Sequence, residues 1–256
     1  MLPPNYFAHE SAAERYAQGR PYYHPLVIER VVKFTRIPRF ARALDVACGA
    51  GLSTRALAEV ADRVDAIDIS APMLAHAPAL PNVTYQQASA EHLPFAENTF
   101  DLISVSSAFH WFDQDQFLRE TARVLQPRGW LLIYKNVFMG EMRENPDFKP
   151  WLSEVYLAKY KTPPRARKRL TCEYTAEFGL NLAGRESVPN DVPLTCEQLT
   201  AYFVSQSNVI AAVEHGTESI EDVAAWIDQG VRPFFKQPIG TFAFASDIHY
   251  LVKPDN

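Results

Sequence analysis

The chain has 256 residues, 47% of them hydrophobic, and a formal net charge of −5. That length suits one large domain, or one domain with a substantial insertion, and the apolar fraction allows a packed core and excludes bulk disorder. The acidic balance argues against a whole-domain nucleic-acid binder while leaving room for a local basic patch.

Residues 9–19 read as a short polar helix broken by Gly19-Arg20-Pro21, and Pro25 then sits in the first turn of a second helix carrying Val27, Ile28, Val31 and Val32 at helical spacing. A regular alternation follows. Residues 43–47 form a strand that runs into Cys48-Gly49-Ala50-Gly51, and Ser53 or Thr54 is placed to cap the next helix. Residues 64–69 are a second strand, and Ser70 and Pro72 open another helix. Residues 83–87 are a third strand, and the nearly continuous apolar run 100–106 is a fourth, of the kind buried on both faces. A helix over 113–125, ended by Pro127 and Gly129, precedes a fifth strand at 130–135. Short strands alternating with helices predict an α/β fold, a Rossmann-like doubly wound, mostly parallel sheet.

After residue 140 the rhythm stops. The expectation is a single domain with a core at 10–139, a helical insertion over the active site at 140–215, and a closing helix and antiparallel strand at 216–256. Within the insertion, residues 145–170 read as helical and then basic, 185–194 as a strand and 197–205 as a helix. The aromatics Phe148, Trp151, Tyr156 and Tyr160 read as core, and the basic run 165–169, with Lys159 and Lys161, as a solvated face or a field attracting an anion. Cys48, Cys172 and Cys196 lie far apart without a CxxC pair, so no zinc knuckle or disulfide framework is expected. No secretory leader or membrane-spanning apolar stretch is seen, and a cytoplasmic protein is expected.

The chemistry concentrates at Asp45-Val46-Ala47-Cys48-Gly49-Ala50-Gly51. Two glycines just past a strand allow a tight turn and a close approach of backbone to a ligand at the carboxyl ends of the strands. The helix start beyond them aims N–H groups into the same space. Asp68, which closes the second strand, suits a ribose diol. A dinucleotide fingerprint would place a third glycine where Thr54 stands, and Asp45 would repel a pyrophosphate. S-adenosylmethionine carries an ammonium and a sulfonium and no phosphate, so the charge of Asp45 favours it.

These residues resemble the class I S-adenosylmethionine-dependent methyltransferases, and within them the small-molecule branch of ubiquinone/menaquinone C-methyltransferases and trans-aconitate methyltransferases. The resemblance covers about residues 10–135. Asp45, Gly49 and Gly51 match the first motif, DxxxGxG, which implies that this turn, with Ala47 and Cys48, holds the methionine part of the cofactor. It implies the ribose role for Asp68, with Ile69 beside it, and an apolar contact to adenine from Met73. Ser89-Ala90-Glu91 matches the adenine-recognition segment, although many members have Asp where Ser89 stands, so recognition would rest on Ala90 and Glu91. Leu93-Pro94-Phe95 and residues 123–129 match later motifs, with Arg128 replacing a glycine of RVLKPGG. The segment around Arg20, with Tyr16 and Tyr23, resembles one that closes over the cofactor, which implies pairing of Arg20 with the cofactor carboxylate.

Ser106 and the segment after it fall beside the transferred methyl. There His110 is the candidate base or acceptor contact, and Trp111 a candidate pocket wall; the alternative is packing within a buried loop. The expected reaction is methyl transfer to a small molecule, with a carboxylate or other anionic metabolite a candidate acceptor and neither nucleic acid nor membrane a partner. The competing readings are a Rossmann-like protein that holds the cofactor without transfer, and an NAD-dependent oxidoreductase. An RNA methyltransferase is disfavoured by the acidic balance and by the absence of a Pro-Pro-aromatic tetrad after the fourth strand.

Overall fold

The computed structural model describes residues 7–163, 168–214 and 216–255. One seven-stranded sheet organises them. Its parallel part consists of β1 (Phe40–Val46), β2 (Ala61–Asp68), β3 (Val83–Gln87), β4 (Phe100–Ser106) and the first part of β5 (Leu125–Met142). Two antiparallel strands, β6 (Asn181–Thr195) and β7 (Ile239–Val252), complete it in the order β3-β2-β1-β4-β5-β7-β6. The order reverses around β1 and β4, and α/β sheets collect ligands at such a switch point.

Helices pack on both faces. On one, α2 (His24–Thr35) and α3 (Leu52–Leu57) lie against β1, β2 and the ends of β5 and β7, burying Val27, Val31, Leu57 and Tyr250. On the other, α5 (Gln114–Val124) buries Phe117, Leu118 and Val124 against Ile103, Leu131 and Leu251. A third cluster lies beyond the parallel strands. There the continuous helical stretch of α6 (Phe148–Trp151), a π-helical turn (Leu152–Tyr156) and α7 (Leu157–Lys159) packs on α9 (Cys196–Val204) and α11 (Ile220–Val231). Phe148, Tyr156 and Tyr160 are buried core residues there, as their sequence context suggests. The remaining helices are α1 (Glu10–Gly19), α4 (Ala71–Ala75), α8 (Cys172–Ala176) and α10 (Ser207–Glu214).

Several sequence expectations need correction. Ser53 and Thr54 do not cap α3: its N-cap is Gly51 in a left-handed conformation with φ 77°, and both hydroxyls turn instead to Asp45. α3 is also short, because 61–63 belong to β2. The segment 140–215 is not simply helical. The strand expected at 185–194 is present as the longer β6, its antiparallel pairing with β7 adds a second antiparallel strand to the sheet, and β5 runs past residue 139 to Met142. Ser70, by contrast, caps α4 by accepting from the Met73 amide. Among the described residues no helix is long and apolar enough to cross a membrane, and no group of three His, Cys, Asp or Glu is placed to hold a metal ion. Cys48, Cys172 and Cys196 are free thiols.

Candidate active site

A cavity of about 930 Å3 opens at the carboxyl ends of β1, β2 and β4 and extends under α1, α9 and the π-helical turn. Its walls bring together Ala47, Cys48 and Gly49 after β1, Asp68 and Ile69 at the end of β2, and Met73 on α4. Ser89, Ala90 and Glu91 after β3 join them, with Ser106, His110 and Trp111 after β4 and Arg20 after α1. Of the positions singled out in the sequence, Asp45 and Gly51 do not line it.

The glycine turn and Asp68 form one unit. Gly49 has φ 57°, and its amide donates to Asp68 Oδ2 at 2.8 Å, while the Ser70 amide donates to Oδ1 at 2.8 Å. The backbone angle favours glycine, and a Cβ on Gly49 would come within 2.7 Å of Met73 Cε, so the end of that flexible side chain would have to shift. Burial pushes the Asp68 carboxyl above its usual range, and the amides of Ser70, Gly49 and Ile69 pull it back. Gly51 serves packing: a Cβ there would lie 2.8 Å from Pro78 Cδ and 3.0 Å from the Tyr85 hydroxyl.

Asp45 lies behind the turn and is fully buried. Its Oδ2 accepts from Ser53 Oγ and Thr54 Oγ1, each at 2.7 Å, and Oδ1 has no partner among the described residues. Burial pushes its pKa up to about 6. Asp45 does not itself line the cavity; Ser53, which donates to it, does.

In the segment after β3, the Ser89 hydroxyl bonds to Glu91 Oε2, and the Glu91 carboxylate also accepts the Asp113 amide at 3.1 Å. Ser89 is thus engaged in holding Glu91, which in turn fixes the start of α5. Ile69 stands 59% exposed beside Asp68, an apolar surface presented to the cavity. Arg20 is held between the rings of Tyr16 and Tyr202, at 4.7 and 5.4 Å from their centroids, and donates to the Ser205 carbonyl at 2.8 Å. Its Nε is buried without a partner among the described residues.

β4 ends in a second strained turn, Ser107 at φ 55°, matching Ala47 at φ 54° after β1. Left-handed conformations in residues other than glycine persist where the surroundings fix them, and they gather at ligand sites. Beyond Ser107, a 3-10 turn at Phe109–Trp111 brings His110 and Trp111 to the wall, with their rings 4.6 Å apart.

A buried polar cluster beneath the β4 end escaped sequence reasoning. The Tyr23 hydroxyl lies 3.1 Å from Ser106 Oγ and 3.3 Å from Ser107 Oγ. His24, which lines the cavity and stacks on Tyr23, bonds through Nδ1 to the Tyr134 hydroxyl at 2.9 Å. Burial holds His24 neutral, with a pKa lowered to about 3, and pushes Tyr23 up to about 12. The basic run divides: Lys168 and Arg169 line the cavity, Lys159 pairs with Glu218 at 3.0 Å, and 165–167 lie outside the described residues.

With this geometry in hand, comparison with known proteins places the glycine turn, Asp68 and the β4 end within one stretch. Residues 44–133 match the family described as Methyltransferase domain. That stretch is similar to a methyltransferase domain. Among curated proteins, it is 37% identical over 128 residues to Uncharacterized methyltransferase Rv3342 of Mycobacterium tuberculosis, covering 49% of this chain and 51% of that protein. The chain thus spans about half the length of the curated relatives it matches. Among solved structures, a protein of Anaeromyxobacter dehalogenans whose name includes the words type II methyltransferase aligns with a TM-score of 0.66 at 24% identity, covering 89% of this chain and 95% of that one. Phosphoethanolamine N-methyltransferase 2 of Haemonchus contortus, solved in complex with S-adenosyl-L-methionine, aligns with a TM-score of 0.56 at 18% identity over 96% of this chain and 57% of that one. At these identities the two structures speak for the fold. The matched stretch holds the cavity positions discussed above except Tyr16, Arg20, His24, Tyr134, Tyr202 and the later basic residues.

Proposed function

We propose that this protein transfers a methyl group from S-adenosylmethionine to a small-molecule acceptor. The observation that carries the reading is Asp68, whose two oxygens are fixed by the Gly49 and Ser70 amides on the wall of the cavity. A carboxylate so held keeps lone pairs for the two hydroxyls of a ribose. The cavity suits the donor: Ile69 and Met73 offer apolar surface to an adenine, and the Arg20 guanidinium on its wall suits the amino-acid carboxylate. At about 930 Å3 it lies near the top of the roughly 300–1,000 Å3 typical of small-molecule sites, which leaves space for an acceptor.

The bound sulfonium supplies an electrophilic methyl carbon, and in-line displacement by the acceptor leaves S-adenosylhomocysteine. The protein's own part is alignment and exclusion of water. The turn after β1 and Asp68 fix the donor end, Ser106 and the β4 turn border the reacting region, and Trp111 walls it. His110 takes the proton of an acceptor that must lose one, such as a phenol or enol, and is unneeded as a base for a carboxylate. Free thiols, no membrane-spanning helix among the described residues and a small-molecule pocket support a cytoplasmic setting.

The test is incubation with methyl-labelled S-adenosylmethionine and a panel of acids, phenols and quinone precursors. Label transferred to an acceptor together with S-adenosylhomocysteine is the expected result. Donor binding with no transfer to any member would favour a protein that only holds the cofactor.

A further inference from the structure

Away from the glycine turn, the cavity has two chemically different walls. One is apolar. Phe138 at the far part of β5, Leu152 and Tyr156 in the π-helical turn, Leu157 and Phe203 line it. Phe203 is fixed against Tyr156 with 4.5 Å between centroids and lies 5.9 Å from Phe138, so this wall is stiff. Leu157 is 38% exposed, an apolar side chain left at the cavity surface.

The other wall is cationic. Lys135 on β5 and Asp247 on β7 are register partners, with Nζ 3.6 Å from Oδ2, and Asp247 also accepts from Ser187 Oγ at 2.9 Å. Lys168 is tied to Asp115, whose carboxylate accepts the Tyr174 hydroxyl as well. Arg169 lines the cavity, is exposed, and makes no ion pair among the described residues. His249 lies beside Arg185 in the sheet register, and burial first, then the Arg185 and Lys135 charges, hold its pKa down. Three cations, Lys135, Lys168 and Arg169, thus line the cavity here against the two carboxylates of Asp247 and Asp115, and the surplus is positive. The other cavity acids, Asp68 and Glu91, stand at the glycine-turn end with backbone amides on their oxygens. Lys135 and Phe138 are three residues apart on one strand, which separates the two walls by about 10 Å.

We infer that the acceptor is an organic acid with an apolar body: its carbon skeleton lies on Phe138, Leu152 and Leu157, and its anionic end meets Arg169 and Lys135. This rests on the reading that the glycine-turn end of the same cavity holds S-adenosylmethionine. An amine meets surplus positive charge at this end, a short hydrophilic acid leaves the apolar wall uncovered, and a neutral alcohol leaves Arg169 without a counter-charge.

Calorimetric titration of the protein saturated with S-adenosylhomocysteine tests this with four probes: octanoate, octan-1-ol, octylamine and acetate. Octanoate is expected to bind at least about tenfold more tightly than each of the others. Arg169→Glu should weaken octanoate about tenfold and leave octan-1-ol unchanged, whereas Leu157→Ser should weaken both. Both substitutions are at exposed positions, so the fold is retained. Octylamine binding as tightly as octanoate, or octanoate affinity unmoved by Arg169→Glu, overturns the proposal. S-adenosylhomocysteine binding without octanoate binding overturns this proposal alone. Failure of S-adenosylhomocysteine to bind overturns the methyl-transfer reading and this proposal with it.

Discussion

The Gly49 amide donates to the Asp68 carboxylate across 2.8 Å, tying the turn after β1 to the end of β2. Two strands that meet side by side thereby present one rigid edge to the cavity. Because Asp68 both shapes the turn and lines the cavity, its removal should be felt in binding. Asp68→Ala should weaken S-adenosylhomocysteine by about 1–3 kcal/mol, the cost of leaving hydrogen bonds to a charged group unmade. Calorimetric titration checks this, and unchanged affinity would remove the ribose role.

Gly49→Ala tests the same unit from its other side. The added Cβ meets Met73 Cε at 2.7 Å in a backbone conformation that disfavours any side chain. Affinity for S-adenosylhomocysteine should fall, and Gly49→Ala combined with Met73→Ala should recover part of the loss by removing the clash while the backbone strain remains. No recovery in the double variant would show that the Met73 contact is irrelevant.

Asp45 is ionised at neutral pH at a cost. Its folded-state pKa of about 6 stands above the ordinary 3.8, so the protonated form favours the fold. That stability is complete below pH 3.8 and is lost as pH rises through about 6, amounting to on the order of 3 kcal/mol. Asp45→Asn keeps an acceptor for Ser53 and Thr54 without the charge. It should be more stable than the parent at pH 8, with the gap closing towards pH 4 in denaturant melts. A gap independent of pH would contradict the burial of an ionisable Asp45.

His24 works in the opposite direction. Its pKa falls from 6.5 to about 3 in the fold, so the stability it contributes is full above pH 6.5 and is lost as pH falls towards 3. A proton NMR titration should find the His24 ring neutral from pH 8 to pH 4. An inflection near 6.5 would mean that the ring is not enclosed with Tyr134 as described.

The parts legible in the sequence were those carried by local pattern. β3 and β4 fall where β-propensity and apolar runs place them, and the turn at Gly49 with Asp68 follows from strand–glycine–helix spacing. The misreadings came from tertiary bonds. Ser53 and Thr54 look like helix caps, but a buried Asp45 claims both hydroxyls. The strand at 185–194 was legible, but β6 alternates exposed and half-buried positions along most of its length, and its place in the sheet is set by pairing with β7, which no local pattern shows. His24 and Tyr134 are 110 positions apart, and no spacing rule joins them. The far end of the cavity is illegible for the same reason: its walls come from β5, β7, the π-helical turn and the 168–169 segment.

His110→Ala separates proton transfer from packing. Once a transferring acceptor is found, loss of most turnover with S-adenosylhomocysteine affinity retained would identify a base, about 10²–10⁴-fold for general-base catalysis. An unchanged rate would assign His110 to the wall beside Trp111.

The central claim is that the edge formed by Gly49 and Asp68 is built for a methyl donor. Calorimetric titration of the protein with S-adenosylmethionine, S-adenosylhomocysteine and NAD tests it most directly. The account predicts one-to-one binding of the first two and none of NAD; binding of NAD with no binding of either sulfur compound would contradict it.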